Sequence, residues 1–442
     1  MKRLSAILFL LLFGFCATAD RVKVRLYTNN SIDLINISFD LGTYNLYGND
    51  TVLIAAAVGN DKSVALSPNG KQIHVSIDGY DYGNYPRVSF VATDTACILC
   101  LNPRNVKQRT YEGNLIASVG KDGKLFLIND VDFETYIAGV VQSEIYGTQS
   151  DIFRVQAIIS RTWALKNINK HRSDGHNFCD QVHCQAYLNR CVRPDIMLGT
   201  IQSNGMTIVD SDGRLIETPF HSNSGGQTAN SEDVWRATVP YLRSVPDTFS
   251  YHMRQSEWVK VLDERKWLDY FATKHKLDVE NDSIRNELLS FSQSQRKVRL
   301  CGIRLTRIRN DFQLKSTFFS VLFDSTSHRV TLSGHGYGHG VGLSQEGTIR
   351  MVGLGISYDS IIRHYYTGAQ LHCLDSSQNP YVENYIKQIT QIIEEDRRAA
   401  TQTKSKQDDW LGRLFRIRDR EEREEVYQPD ENELESDWQY DW

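Results

Sequence analysis

The feature that most constrains the fold is a change of hydrophobic period near residue 132. Upstream, Val22, Val24 and Leu26 alternate with Arg21, Lys23 and Arg25, the two-residue repeat of a strand with one face buried. Turn signals at Gly48-Asn49-Asp50 and Pro68-Asn69-Gly70 punctuate this region, and Lys121-Asp122-Gly123 closes a hairpin between two apolar strands within residues 111–128. Downstream, Phe133, Tyr136, Ile137, Val140 and Val141 recur at three- and four-residue spacing, as do Val155, Ile158, Ile159 and Trp163 within residues 152–167. A further helical stretch over 258–291, strands over 298–308 and 317–323, and a closing helix over 358–366 are predicted. Strands and helices are segregated, with no regular alternation of the two, so the fold class is α+β. A β-rich region over 20–109 packs with a mixed helix and strand core over 110–374.

At 442 residues the chain exceeds what one ordinary core accommodates. Its 50 Lys and Arg nearly balance 54 Asp and Glu, for a formal charge of −4, which excludes the basic excess that wrapping a nucleic acid requires. The most apolar run, residues 4–15, follows Lys2 and Arg3 and ends at Ala17-Thr18-Ala19. It is too short for a spanning helix and has the layout of a secretory signal, with cleavage expected after Ala19. The bulky Phe15 before Cys16 does not suit a lipidation site. The mature chain is therefore expected to be exported and free of a membrane span. Residues 375–442 shift in composition: acidic side chains outnumber basic ones and aliphatic periodicity is confined to Trp410, Leu411, Leu414, Phe415 and Ile417. This stretch reads as a charged, flexible tail without a core of its own.

Three motifs could carry chemistry. Glu144 ends the apolar helix pattern just before a turn, and a carboxyl group held against apolar walls resists ionisation, as a general acid near neutral pH must. On the next helix Gln156, Ser160 and Trp163 share a face with Arg161 beside them, lining a polar site or satisfying the core. Second, residues 334–347 hold Gly334, Gly336, Gly338, Gly340, Gly342 and Gly347 around His335, His339, Ser344 and Gln345. So much glycine implies close backbone approach, either by a ligand or by a neighbouring element. Neither a phosphate-binding loop nor a helical two-histidine zinc motif matches the pattern. Third, His176, Cys179, His183, Cys184 and Cys191 cluster in a polar loop. Export permits a disulfide between Cys179 and Cys184, while the same thiols with His176 or His183 supply the soft donors of a tetrahedral zinc site, Cys191 being the reserve ligand. The cysteines beyond Cys16 are odd in number, so at least one stays out of any disulfide set. Cys97 and Cys100 read as a buried thiol pair or a local disulfide.

Together with Arg109-Thr110-Tyr111-Glu112-Gly113, Cys184-Gln185-Ala186-Tyr187, Ser224-Gly225-Gly226-Gln227-Thr228, Val234-Trp235, Pro240-Tyr241-Leu242 and Tyr365-Tyr366-Thr367-Gly368, these motifs resemble the SpoIID/LytB-domain family, related to stage II sporulation protein D, whose members act as lytic transglycosylases on peptidoglycan. The resemblance covers about residues 22–374. Glu346 departs from it, standing where an aromatic is common. The resemblance implies a glycan cleft in the core, a single catalytic glutamate at Glu144, and one structural zinc that the chemistry does not require. Gln156, Arg161, Tyr187, His339, Ser344 and Gln345 become candidate glycan contacts, with the glycine-rich loop as the wall opposite Glu144. The implied partner is the peptidoglycan strand. A glycan-binding protein without catalysis is the alternative, and the apolar setting of Glu144 speaks against it.

Overall fold

The computed structural model describes residues 21–374; the expected signal over 1–19 and the tail over 375–442 lie outside the described residues. The architecture is α+β, as the segregated periodicities predict. A seven-stranded sheet runs in the order Phe178–Cys179, Arg21–Leu26, Leu125–Asp132, Asn114–Val119, Arg87–Ala92, Tyr44–Gly48, Val52–Val58. A six-stranded sheet is built from Arg109–Glu112, Ile98–Pro103, Ile35–Leu41, Val64–Asn69, Gln72–Ile77 and Tyr80–Tyr85. The alternation in the first strand does what it predicts: Val22, Val24 and Leu26 are buried.

Residue 109, the boundary expected from the sequence, lies within this β layer. Arg21–Leu26 pairs antiparallel with Leu125–Asp132, Arg87–Ala92 pairs with Asn114–Val119, and Arg109–Glu112 pairs with Ile98–Pro103. The hairpin at Lys121-Asp122-Gly123 links two central strands of the larger sheet. One apolar core consequently extends from Val22 to Ala369. A second, smaller core, including Trp258, Trp267, Phe271, Leu288, Phe319 and Leu332, belongs to an insertion that the pattern does not separate from the rest.

Nine helices are present among the described residues: α1 (Phe133–Glu144), α2 (Ser150–Lys166), α3 (Pro194–Gln202), α4 (Ser231–Val234), α5 (Glu264–His275), α6 (Asp282–Ser290), α7 (Leu305–Asp311), α8 (Gln345–Gly353) and α9 (Tyr358–Tyr365). None is long and apolar enough to cross a membrane. Helix α1 starts where the Asp132 carboxylate accepts the Thr135 amide at 3.0 Å, an N-cap, and ends where Ile145 turns extended. Its Gly139 is a packing requirement, since a Cβ there would lie 2.5 Å from the Tyr187 ring. Helix α2 is buried along most of its circumference, so its polar side chains must find partners inside the protein. Helices α5, α6 and α7 cover one side of the three-stranded sheet Glu257–Asp263, Arg329–His335, Phe319–Asp324 and form the second core with it.

Candidate active site

Glu144 is the last residue of α1 and is half-buried. Its Oε1 accepts the Ala186 amide at 2.6 Å. Burial pushes its pKa up to about 7, against the smaller opposing pull of that N–H, because the charged form has lost water and recovered little. Asp132, at the other end of α1, is also pushed up by burial, to about 6, but it is committed to the cap. Glu144 is therefore a carboxyl group poised to hold and release a proton near neutrality, at the C-terminal end of a rigid helix.

The loop after Glu144 is gripped by the first two residues of α8. Gln345 Nε2 donates to the Glu144 carbonyl at 2.8 Å and lies 3.4 Å from Gln156 Oε1. Glu346 is fully buried and accepts from the Tyr146 hydroxyl at 2.6 Å, from Asn223 Nδ2 at 2.6 Å and from the Gln255 amide at 3.0 Å. Thus the glycine-rich loop does end beside Glu144. Its glycines, however, make room for the chain itself. A Cβ on Gly336 would lie 2.5 Å from the Asn223 carbonyl oxygen, and one on Gly342 would lie 2.2 Å from that of Pro219.

Most of the expected glycan contacts are engaged within the fold. Gln156, Arg161, Tyr187 and Ser344 are buried with partners inside the protein. Gln156 Nε2 donates to Ser160 Oγ, Tyr187 packs between Tyr111 and Tyr136 and donates its hydroxyl to Asn129, and Ser344 caps α8 through the Gly347 amide. His339 is also buried, against His221 and Trp235, and accepts the Val341 amide at 3.0 Å. Only Gln345 remains at the edge of the acid, through its amide and the Glu144 backbone. Arg161 makes a bidentate pair with Glu134, at 2.7 and 2.6 Å. Because removing one partner of such a buried pair strands the other charge, Arg161→Met is expected to cost roughly 3 kcal/mol of stability. A denaturation midpoint unchanged by this substitution would return Arg161 to the substrate-binding set.

The polar loop after α2 folds into a metal-binding shape. His171, Cys179, His183 and Cys184 each offer a ligand atom, all within 4.8 Å of one another. His171 Nε2 lies 3.3 Å from Cys184 Sγ, and His183 Nδ1 lies 3.7 Å from Cys179 Sγ. A tetrahedral zinc with bonds of about 2.0–2.3 Å holds its ligand atoms roughly 3.3–3.8 Å apart, so the donor set fits. The Cys184 thiol, hydrogen-bonded to Cys179, pulls the latter's pKa down, favouring a thiolate at one of the two sulfurs. The described cysteines are all free thiols, with no disulfide between Cys179 and Cys184 or between Cys97 and Cys100.

His171 replaces His176 in this group. His176 stacks on the His171 ring with 4.8 Å between centroids, one layer behind the donor atoms, and Cys191 is engaged with the Arg193 carbonyl instead. His171 escapes a short-window reading because the short helical turn Arg172–Asp174 and the left-handed Gly175 (φ 82°) fold the chain back between it and Cys179. Asp180 likewise gives no signal in the sequence. Fully buried, it anchors the loop by accepting the Tyr27 amide at 2.6 Å and Arg109 Nη1 at 2.7 Å. The same loop carries Ala186, so the metal group and the hydrogen bond to Glu144 belong to one segment.

Residues 121–204, which hold α1, α2, α3 and this loop, match the family model SpoIID, described as stage II sporulation protein. Over this segment the chain is similar to the SpoIID family. Similarity to curated proteins extends further. Stage II sporulation protein D of Bacillus subtilis (strain 168) is 25% identical over 280 residues, covering 58% of this chain and 78% of that protein. Its counterpart in Bacillus amyloliquefaciens is 24% identical over 285 residues, covering 58% of this chain and 78% of its own length. The amidase enhancer of B. subtilis is 25% identical over 290 residues, covering 53% of this chain and 40% of its own length. The SpoIID segment contains Glu144 and the metal group, whereas Gln345 and Glu346, which fix the loop after the acid, lie beyond it.

Proposed function

We propose that the chain is an exported lytic transglycosylase that cleaves the β-1,4 bond between N-acetylmuramic acid and N-acetylglucosamine in peptidoglycan. The observation that carries this reading is the half-buried Glu144 carboxyl, with its pKa near 7 and the single Ala186 N–H as its anchor. Similarity to proteins named for sporulation stage II and for amidase enhancement supports a role at the cell wall.

Protonated Glu144 gives its proton to the leaving O4 of the N-acetylglucosamine as the bond to C1 breaks. The resulting carboxylate then takes the proton from the muramyl C6 hydroxyl, and O6 bonds to C1 to close a 1,6-anhydro ring. Proton and electrons balance with one carboxyl group and no water, unlike hydrolysis, which normally uses two. Glu346 is not a second participant, since three donors fill its buried oxygens. His171, Cys179, His183 and Cys184 would hold a zinc ion. When bound, it supplies rigidity to the loop and no chemistry to the reaction. Ala186 N–H, two residues past Cys184, keeps the acid in position.

Product analysis on isolated sacculi tests the reading directly. Anhydromuropeptides are expected. Reducing ends would mean hydrolysis, free stem peptides would mean an amidase, and binding without release of product would leave a glycan-binding module.

A further inference from the structure

Glu144 and Tyr146 flank Ile145, which is buried and extended. Tyr146 thus stands two residues past the acid, on the far side of a buried Ile145. Tyr146 is 42% exposed. An exposed ring ordinarily samples several rotamers. This one is held by a 2.6 Å bond to Glu346, which has no exposed surface of its own. Such a charge-assisted bond to a rigid acceptor is among the stronger hydrogen bonds. Glu346 is fixed in turn by Asn223 and by the Gln255 amide, so the hydroxyl is tied to three separate segments while Tyr146 keeps 42% exposure. Neither the core nor the proton transfer uses it.

We infer that Tyr146 is a sugar-stacking platform beside the acid, with Glu346 as its positioning residue. The ligand it fits is a pyranose ring of the glycan strand, whose axial C–H groups pack on an aromatic face while its hydroxyls stay in water. This rests on the glycan-cleavage reading above and adds the residue that orients the sugar against Glu144.

The test is binding of full-length protein to purified sacculi in the Glu144→Gln background, where nothing is cleaved, together with KM and kcat in the parent. Tyr146→Ala is expected to weaken binding and raise KM roughly three- to ten-fold, the value of one aromatic face contact. Tyr146→Phe, which keeps the face but loses the bond to Glu346, is expected to fall between the parent and alanine, and Tyr146→Leu, which keeps bulk without a π-face, to resemble alanine. Thermal midpoints of the three variants separate lost contact from lost folding. Alanine binding like the parent, phenylalanine no better than leucine, or no binding by the Glu144→Gln protein would each overturn the platform. If the parent releases no product yet binding depends on the Tyr146 ring, cleavage fails and the platform stands. If the parent cleaves and Tyr146→Ala leaves KM unchanged, cleavage stands and the platform fails.

Discussion

Glutamine in place of Glu144 is expected to lower turnover on isolated sacculi by at least about 10²–10⁴-fold, the usual worth of general acid catalysis, while leaving glycan binding nearly intact. The amide keeps the volume, and its oxygen can still accept the Ala186 N–H, but it has no proton to give. The parent's kcat/KM should fall as pH rises through about 7, where the protonated acid is depleted. Stability should move the other way. The folded-state pKa of Glu144 is raised from 4.5 to about 7, so its ionised form is penalised in the fold. That cost is absent below the unfolded value, grows between the two and is complete above pH 7. The glutamine variant escapes it and should be more stable at pH 8 by up to about 3 kcal/mol, since one pKa unit corresponds to about 1.4 kcal/mol. Turnover at the parent's rate would end the catalytic assignment. Equal stability at pH 8 would show that the carboxylate finds compensation in the fold.

Protein purified without chelator is expected to contain one zinc ion per chain, and Cys179→Ala, Cys184→Ala or His171→Ala to lose it. His176→Ala should retain it, because that ring lies behind the donors. Structural zinc contributes on the order of 10 kcal/mol of binding free energy in small domains. Its removal should therefore cost several kcal/mol, and activity should fall with it through the slackened loop at Ala186. Elemental analysis without zinc, combined with a Cys179–Cys184 disulfide found by mass spectrometry, would reject the site and favour the cross-link.

How much of this is legible in the sequence depends on the range of the interaction. Local periodicity locates α1 and α2, and with them the position of Glu144 at a helix end. The setting of that carboxyl depends on Ala186, 42 positions away, which no short window reveals. The Cys- and His-rich loop is recognisable by its donor types, yet sequence proximity selects His176 where the fold groups His171 with Cys179, His183 and Cys184. His176 is nearer to Cys179 along the chain, whereas His171 is nearer to Cys184 in the fold. The glycine-rich loop misleads through a real ambiguity. Glycine admits any close neighbour, and here the neighbours are the backbone at Pro219 and Asn223. Arg161 and Tyr187 have the side chains of sugar binders, but their partners, Glu134 and Asn129, come from other elements and claim them for the scaffold.

The grip of Gln345 on the Glu144 carbonyl spans 201 positions, and the bond from Tyr146 to Glu346 spans 200. Contacts of such separation form late, after the entropy of closing a long loop has been overcome. A nascent chain that has emerged through α3 already possesses the acid, the four metal donors and the bond from Arg193 to the Gly147 carbonyl, but it lacks both contacts from α8. On the proposed reading, the surroundings of the acid are complete only once α8 has been synthesised and docked, and a copy ending after α3 is expected to release no product from sacculi.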